Sequence, residues 1–466
     1  MKMWSGRFRQ PLDPAFERWQ RSFEFDCRLL ECELAASRAH ARALKDAGIL
    51  ASGELISILQ GLEQIGQKAG SPDFLEDAEA EDVHHFVEKR LVSLIGEVGY
   101  KLHSGRSRNE QIATDLRLYV RAAIDQLQIF LADWLEALVR RAEQVGDAAM
   151  PAYTHLQRAE PVLVAHWVLA YVEMFQRDAD RLSDCRRRVN LCPLGSGAVA
   201  GATLPLDRRA MANDLGFDAP TANSMDATSD RDFAIEFVNA LSLLALHLSR
   251  WAEEMILFSS QEYGFVHLPE AYSTGSSAMP QKKNPDLLEL VRGKTGRVLG
   301  NAAALMVTAK GLPLAYNKDL QETQEPLFDA TETILSLLPL VTGFMNAVEF
   351  DELRMQHAAQ TGFMNAWAAA TYLVRRGLPF RQAHELIGKA VQLCLEKKCE
   401  LQDLSLEELQ NLHPTFEGDF SSWLALGSVL AIHDAPGGTA PEHVRQAMAE
   451  AKRKVESIRE GIHAHA

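Results

Sequence analysis

The chain has 466 residues and a formal net charge of -15. Hydrophobic residues make up 47% and charged residues 24%, which excludes a disordered or fibrous chain and fits about three domains of ordinary size. The acidic balance repels a phosphate backbone, so no nucleic-acid partner is expected, but a locally positive site for an anionic small molecule remains open.

The N-terminal stretch MKMWSGRFRQPLDP holds no apolar signal region. No uninterrupted apolar run reaches the roughly 18 residues of a bilayer span. The oiliest stretch, Phe233 to Phe258, is broken by Glu236, His247, Arg250, Glu253 and Glu254 and reads as a core helix. A soluble, cytoplasmic protein with no membrane partner is expected. Cysteines at 27, 32, 185, 192, 394 and 399 include no C-x-x-C pair, which points to reduced thiols and to no zinc site.

The first polar run is His103–Ser104–Gly105–Arg106–Ser107–Arg108–Asn109. Two arginines and small hydrogen-bonding side chains ahead of a helix make an anion cradle, and a cap with solvated arginines is the plainer alternative. From Gln111 to Val145 apolar residues recur in steps of three and four, beginning Ile112, Leu116, Tyr119, Val120 and Ile124. That period predicts an unusually long helix. The loop 149–160 holds His155 among Thr154, Gln157 and Arg158. A histidine there suits acid or base work near neutrality, or is simply exposed.

Helical periodicity returns from Pro161 to Leu182, breaks at 192–205, and resumes over Asp232 to Phe258. The loop 269–286 contains Gly275, Ser276, Ser277, Pro280, Lys282, Lys283 and Asn284. Lysine charge beside a serine favours its alkoxide, and a glycine-hinged loop closing on a ligand would exclude water; a flexible surface loop is the bland reading. Asn284 is the expected N-cap and Pro285 the expected first residue of a helix to Lys310, with Asp286 favouring the dipole's positive end. Its Gly293, Gly296 and Gly300 each cost up to about 1 kcal/mol of helix propensity, so close packing of backbones in an oligomeric bundle is expected. Shorter helices follow from about 361, punctuated by Pro379, Pro414 and Pro436. No segment alternates with period two. The fold class is all-α, in three segments: an N-terminal helical domain 1–105, a central long-helix bundle 106–360 and a C-terminal helical domain 361–466.

The segment GSSAMPQKKNPD resembles the G-S-S-x-M-P-x-K-x-N-P signature of the fumarase/aspartase superfamily of eliminating lyases. The doubled lysine, with SGRSRNEQ, THLQRAEP, LAYNKDLQE (314–322) and GGTAP (437–441), most resembles the argininosuccinate lyase family within it. The matches run from Trp4–Phe8 to GGTAP, essentially the whole chain.

The resemblance implies a homotetramer whose central helices form a twenty-helix core, with each active site shared between three subunits. It implies reversible cleavage of argininosuccinate to arginine and fumarate without metal or organic cofactor. The carbanion is tolerable only as an aci-carboxylate, so fixed cations and donors must aim at the carboxylate. By the resemblance, Lys282 takes that role, Ser276 is the base, His155 the general acid, and Glu289 orients the histidine. Substrate contacts would come from Ser22, Ser107, Arg108, Asn109, Thr154, Asn284, Tyr316, Gln321 and Gln324, with Asp82 and His84 near the site.

Two departures bear on this. Gln324 stands where the family has a substrate-binding lysine, which implies that a nearby cation compensates. Glu160 stands where glutamine is commoner, close in sequence to His155. Adenylosuccinate lyase chemistry and a crystallin-like structural role are the competing readings; the doubled lysine argues against the first and the intact Ser276, His155 and Lys282 against the second.

Overall fold

The computed structural model describes residues 10–69, 71–77 and 79–463. The Trp4–Phe8 motif lies outside the described residues. Helices dominate, as the periodicity predicts: Leu30–Asp46 (α1), Val83–Ile95 (α2), Arg108–Gln144 (α3), Val164–Val189 (α4), Asp232–Ser259 (α5), Asp286–Ala309 (α6) and Gln324–Ala347 (α7). Further helices follow α7, from Glu352–Ala359 to Pro441–His463, several of them short.

Two boundaries differ from expectation. The helix expected from Pro161 starts at Val164, because Gln157–Leu163 (β2) pairs antiparallel with Ala149–Thr154 (β1). Residues Ala149, Met150 and Pro151 are buried in succession, so the strand shows no alternation to betray it. The second difference is one residue at α6. Glu289 N–H donates to the Pro285 carbonyl, which makes Pro285 the cap, while the Asn284 side chain turns to Thr274 Oγ1 at 3.5 Å. Asp286 does sit in the first turn.

Asp232–Ser259 and Lys318–Ala347 are long and apolar enough by composition to cross a bilayer, an average that counting uninterrupted runs does not register. In α5, 61% of the apolar window is buried inside the folded chain, and His247 there meets Asp178 at 2.6 Å. It is a core helix, as the interrupting charges suggest.

The chain forms two compact units. The first comprises Met1–Gln126, Arg181–Ser242 and Gly296–Ile334; the second comprises Leu127–Asp180, Leu243–Thr295 and Leu335–Ala466. In the first, Ala36, Ala39 and Ala43 on one face of α1 let Leu118, Cys192, Leu194, Met211 and Phe217 approach closely. In the second, Trp134 meets Trp251 and Phe175 edge-on at 5.0 and 5.5 Å, and Trp251 meets Phe344 at 5.6 Å. A further core joins Tyr372, Leu373, Ile387, Cys394, Leu401, Phe416 and Phe420.

All six cysteines are free, and Cys185, Cys192 and Cys394 are buried. On α6 no atom lies within 4 Å of where a Cβ would stand at Gly293, Gly296 or Gly300. The expected close packing at these glycines is therefore not made within the chain.

Candidate functional site

The sequence-derived residues fall into two groups, one in each unit. In the first unit, Ser107 caps α3. Its backbone N–H donates to Glu110 Oε1 at 3.0 Å, and Asn109 N–H donates to Ser107 Oγ at 3.3 Å. This is a reciprocal cap of the S-x-x-E kind. Glu110 Oε2 also accepts from Gly197 N–H at 3.0 Å, and Asn109 Nδ2 donates to the Ala198 carbonyl at 3.3 Å, so a second loop is tied to the helix start.

Both arginines of this loop are paired with carboxylates. Arg106 is buried and donates to Ser37 Oγ at 2.9 Å, with Glu33 at 3.7 Å. Arg108 donates to Asp82 at 2.9 Å and lies 3.4 Å from Glu81. The cations are thus held by carboxylates from α1 and from the segment leading into α2.

Ser22, Tyr316 and Gln321 join the same group. Ser22 N–H donates to the Glu81 carbonyl at 2.9 Å, and Ser22 Oγ donates to Asp26 Oδ2 at 2.6 Å. Gln321 Nε2 donates to the Gln20 carbonyl at 3.2 Å. Tyr316 follows Ala315, whose φ of 66° is rare for a residue with a Cβ. Asn317 Nδ2 holds that bend by donating to the Pro313 and Ala315 carbonyls. Burial raises the Tyr316 phenol pKa, against which Arg231 and Arg108 act, while Asp82 and Asp26 add to it. Gln324 is buried, and its Oε1 has no partner among the described residues.

Beneath this group lies a cluster that sequence reading missed, apart from His84. Glu33 accepts from Ser37 Oγ at 2.6 Å, Gln111 Nε2 at 3.2 Å and His84 Nδ1 at 2.7 Å. Asp115 stands 3.7 Å from His84 Nδ1. The three ligand-type atoms of Glu33, His84 and Asp115 lie within 4.8 Å of one another, a spacing a metal could use. Donors already crowd Glu33, however, and His84 and Arg106 compensate its charge. Burial would raise the Glu33 carboxyl, but His84 and Arg106 hold it well below the usual range. Burial and the Glu33 charge push Asp115 well up, so that carboxyl keeps its proton. Burial drives the neighbouring His103 down to about 4 and His40 down to about 3, so both are neutral.

Arg231 was also missed. It is buried; Nη1 donates to the Asp230 carbonyl at 2.7 Å, and Nε and Nη2 have no partner among the described residues.

In the second unit, His155 and Leu156 form the two-residue turn between β1 and β2, with φ of 55° and 57°. Asn-Gly would adopt that turn freely; a histidine and a leucine there store about 1–3 kcal/mol each. The strained tip carries His155 outward, next to Thr154. Arg158 ties β2 down through Thr361 Oγ1 at 3.0 Å, and Leu163 N–H donates to Thr439 Oγ1 of the GGTAP motif at 2.8 Å. Glu160 faces His433 at 3.5 Å.

The serine–lysine loop of this unit is a small hairpin in which Thr274 and Gly275 pair with Asn284 and Lys283. Ser276 Oγ accepts from Ala278 N–H at 3.3 Å and Met279 N–H at 3.1 Å. Two such donors favour negative charge on that oxygen. Lys282 is exposed, and Lys283 Nζ donates to the Leu268 carbonyl at 3.2 Å. Glu289 is exposed and lies 4.0 Å from Arg292. Among the described residues no hydrogen bond or ion pair joins Ser276, Lys282 or Glu289 to His155.

A family model described as lyase matches residues 6–300, and one described as argininosuccinate lyase C-terminal matches residues 363–431. The argininosuccinate lyase of Koribacter versatilis (strain Ellin345) is 61% identical over 466 residues, the whole of both chains. That of Acidobacterium capsulatum is 60% identical over 460 residues, 97% of this chain and 95% of the relative. Among solved structures, EDDS lyase in complex with formate superposes with a TM-score of 0.85 at 26% identity, covering 98% of this chain and 93% of that one.

Proposed function

The chain belongs to the argininosuccinate lyase family of the fumarase/aspartase superfamily, and we propose how its two residue groups divide the family's reaction. The enzyme is a carbon–nitrogen lyase that cleaves argininosuccinate reversibly to L-arginine and fumarate. Neither adenylosuccinate lyase nor a crystallin-like structural protein is favoured, given that identity over the full chain.

In the proposed mechanism Ser276 Oγ takes the proton from the carbon beside a succinyl carboxylate. The electron pair enters that carboxylate as an aci-carboxylate held by Lys282 and Asn284, then forms the fumarate double bond as the carbon–nitrogen bond breaks. His155 protonates the departing guanidino nitrogen, and Glu289 orients His155. The observation that carries the Ser276 assignment is the pair of backbone N–H groups donating to its Oγ.

Ser22, Ser107, Arg108, Asn109, Thr154, Tyr316, Gln321 and Gln324 hold the substrate in this reading, with Arg231 as the cation that offsets the lysine absent at 324. No metal or organic cofactor is invoked. In this reading Glu289 meets His155 across a subunit boundary, within a homotetramer whose active sites each draw on three subunits. Exposed Leu290, Leu299, Met306 and Val307 on α6, beside its open glycines, support a helix core built between copies. The division at 105 and 360 follows the same reading; the self-contained core from Ala368 to Val429 supports the second boundary. A cytoplasmic setting accords with the free, partly buried thiols.

The test is fumarate formation from argininosuccinate, followed by ultraviolet absorbance, in the wild type beside Ser276→Ala. Fumarate from the first and a loss of about a thousandfold or more in the second is expected. An active Ser276→Ala would remove the serine from its role.

A further inference from the structure

Asp26 is almost fully buried at the end of the short helix Phe23–Asp26, and both of its oxygens are engaged. Oδ1 accepts from Val83 N–H at 3.0 Å, and Oδ2 faces Ser22 Oγ at 2.6 Å. A serine hydroxyl has one proton. While Asp26 is ionised that proton points at Oδ2, and Ser22 has only lone pairs to offer elsewhere. If Asp26 is protonated, its own O–H donates to Ser22 Oγ and the serine proton is released to donate outward. The charge on one buried carboxyl therefore decides whether Ser22 accepts or donates.

We propose that Asp26 is a positioning residue that keeps Ser22 an acceptor, so that Ser22 receives the α-ammonium of the substrate's arginine half rather than a carboxylate. The inference rests on the lyase reading above and on Ser22 contacting substrate. Local charge agrees with it. Ser22 N–H donates to the Glu81 carbonyl; Glu81 and Asp82 share one cation, Arg108, and His84 is bound to Glu33, so carboxylates outnumber cations here. An arriving ammonium meets an acidic corner.

The titratable groups facing Asp26 are Asp82 and His84 from the α2 start, Asp115 from α3, Tyr316 from the loop before α7, and Cys27 beside it. Burial and the Asp82 charge raise the Asp26 carboxyl to about 7, against Ser22, His84 and Val83. A bound ammonium favours the ionised form, so binding releases a proton, and affinity for the ammonium falls as pH drops below that value.

The experiment is calorimetric binding of L-arginine and of 5-guanidinopentanoate, which lacks only the α-ammonium, to the intact enzyme. Near pH 8 the wild type should prefer arginine by about tenfold or more, and by about pH 6 most of that preference should be gone. Asp26→Asn mimics the protonated carboxyl, since its Nδ2 donates to Ser22 Oγ while Oδ1 still accepts from Val83. It should flatten the pH dependence and reduce the preference to about threefold or less at both pH values. Ser22→Ala should reduce the preference likewise. Arginine binding by the wild type near pH 7 should release a proton, read from heats in buffers of different ionisation enthalpy.

An unchanged preference in a folded Asp26→Asn, or no discrimination by the wild type, overturns the proposal. If Asp26→Asn does not assemble, Ser22→Ala and wild-type proton release decide the matter in the same way. Cleavage of argininosuccinate with these signatures absent sinks only the Asp26 role. Failure to bind or cleave argininosuccinate sinks the lyase reading with it.

Discussion

His84 Nδ1 stands 2.7 Å from Glu33 Oε2, and both side chains are buried. Burial alone would lower the His84 pKa, but Glu33, Asp82 and Asp26 together raise it. The cluster around this pair underlies the loop that starts α3, so its integrity reaches the substrate-facing residues Ser107 and Arg108.

Removing one partner leaves the other's charge buried. His84→Ala is expected to destabilise by about 3–5 kcal/mol, measured as the urea midpoint. The pH dependence has two arms. Glu33, with its pKa lowered on folding, contributes stability present above the ordinary carboxylate range and lost on acidification. His84, with its pKa raised, contributes stability present below about pH 6.5 and lost as pH climbs through its folded value. Asp26, raised from 3.8 to about 7, adds to the second arm. Relative to Asp26→Asn, the wild type should therefore lose stability as pH rises from about 4 to about 7. Equal slopes in the two proteins would contradict this.

Arg117 is buried, bonded to Asp230 and to the Arg188 and Val189 carbonyls at 3.1 and 3.0 Å, with its guanidinium 4.5 Å from the Phe233 ring centre. One ammonium cannot span three acceptors and a ring face. Arg117→Lys should recover little of the stability that Arg117→Ala loses, about 3–5 kcal/mol by denaturant titration. Full recovery by lysine would show that charge alone matters there.

Trp134→Ala should cost about 3–5 kcal/mol in the same assay, since its ring is fully buried between Trp251 and Phe175. Trp134→Phe should cost much less, because the indole Nε1 is buried without a partner among the described residues and its loss breaks no bond there.

Gln324→Lys should raise the Michaelis constant for argininosuccinate about fivefold or more, because it buries an ammonium where an amide now sits. A Michaelis constant that stays level or drops would mean that the substrate carboxylate still seeks a cation at that position.

The long helices and the chemical loops could be read from the sequence for one reason: both are local. Apolar steps along α3 and α5 repeat within a single element, and Ser276 to Asn284 is one contiguous hairpin. The buried charges could not be read that way. Glu33 meets His84 across 51 positions and Arg117 meets Asp230 across 113, and until those partners close a buried glutamate looks like any solvated one. The β1–β2 hairpin was hidden by its own burial, and its turn by residues that ordinarily avoid positive φ.

The free thiols make the molecule its own reporter of breathing. Burial pushes Cys192 up to about 11 and Cys394 up to about 12, so neither is thiolate in the folded state at neutral pH. Cys192 belongs to the core around α1, Cys394 to the core near the C-terminus. An alkylating reagent added to the native enzyme, with peptides followed by mass spectrometry, would time the opening of each core independently and without any engineered label.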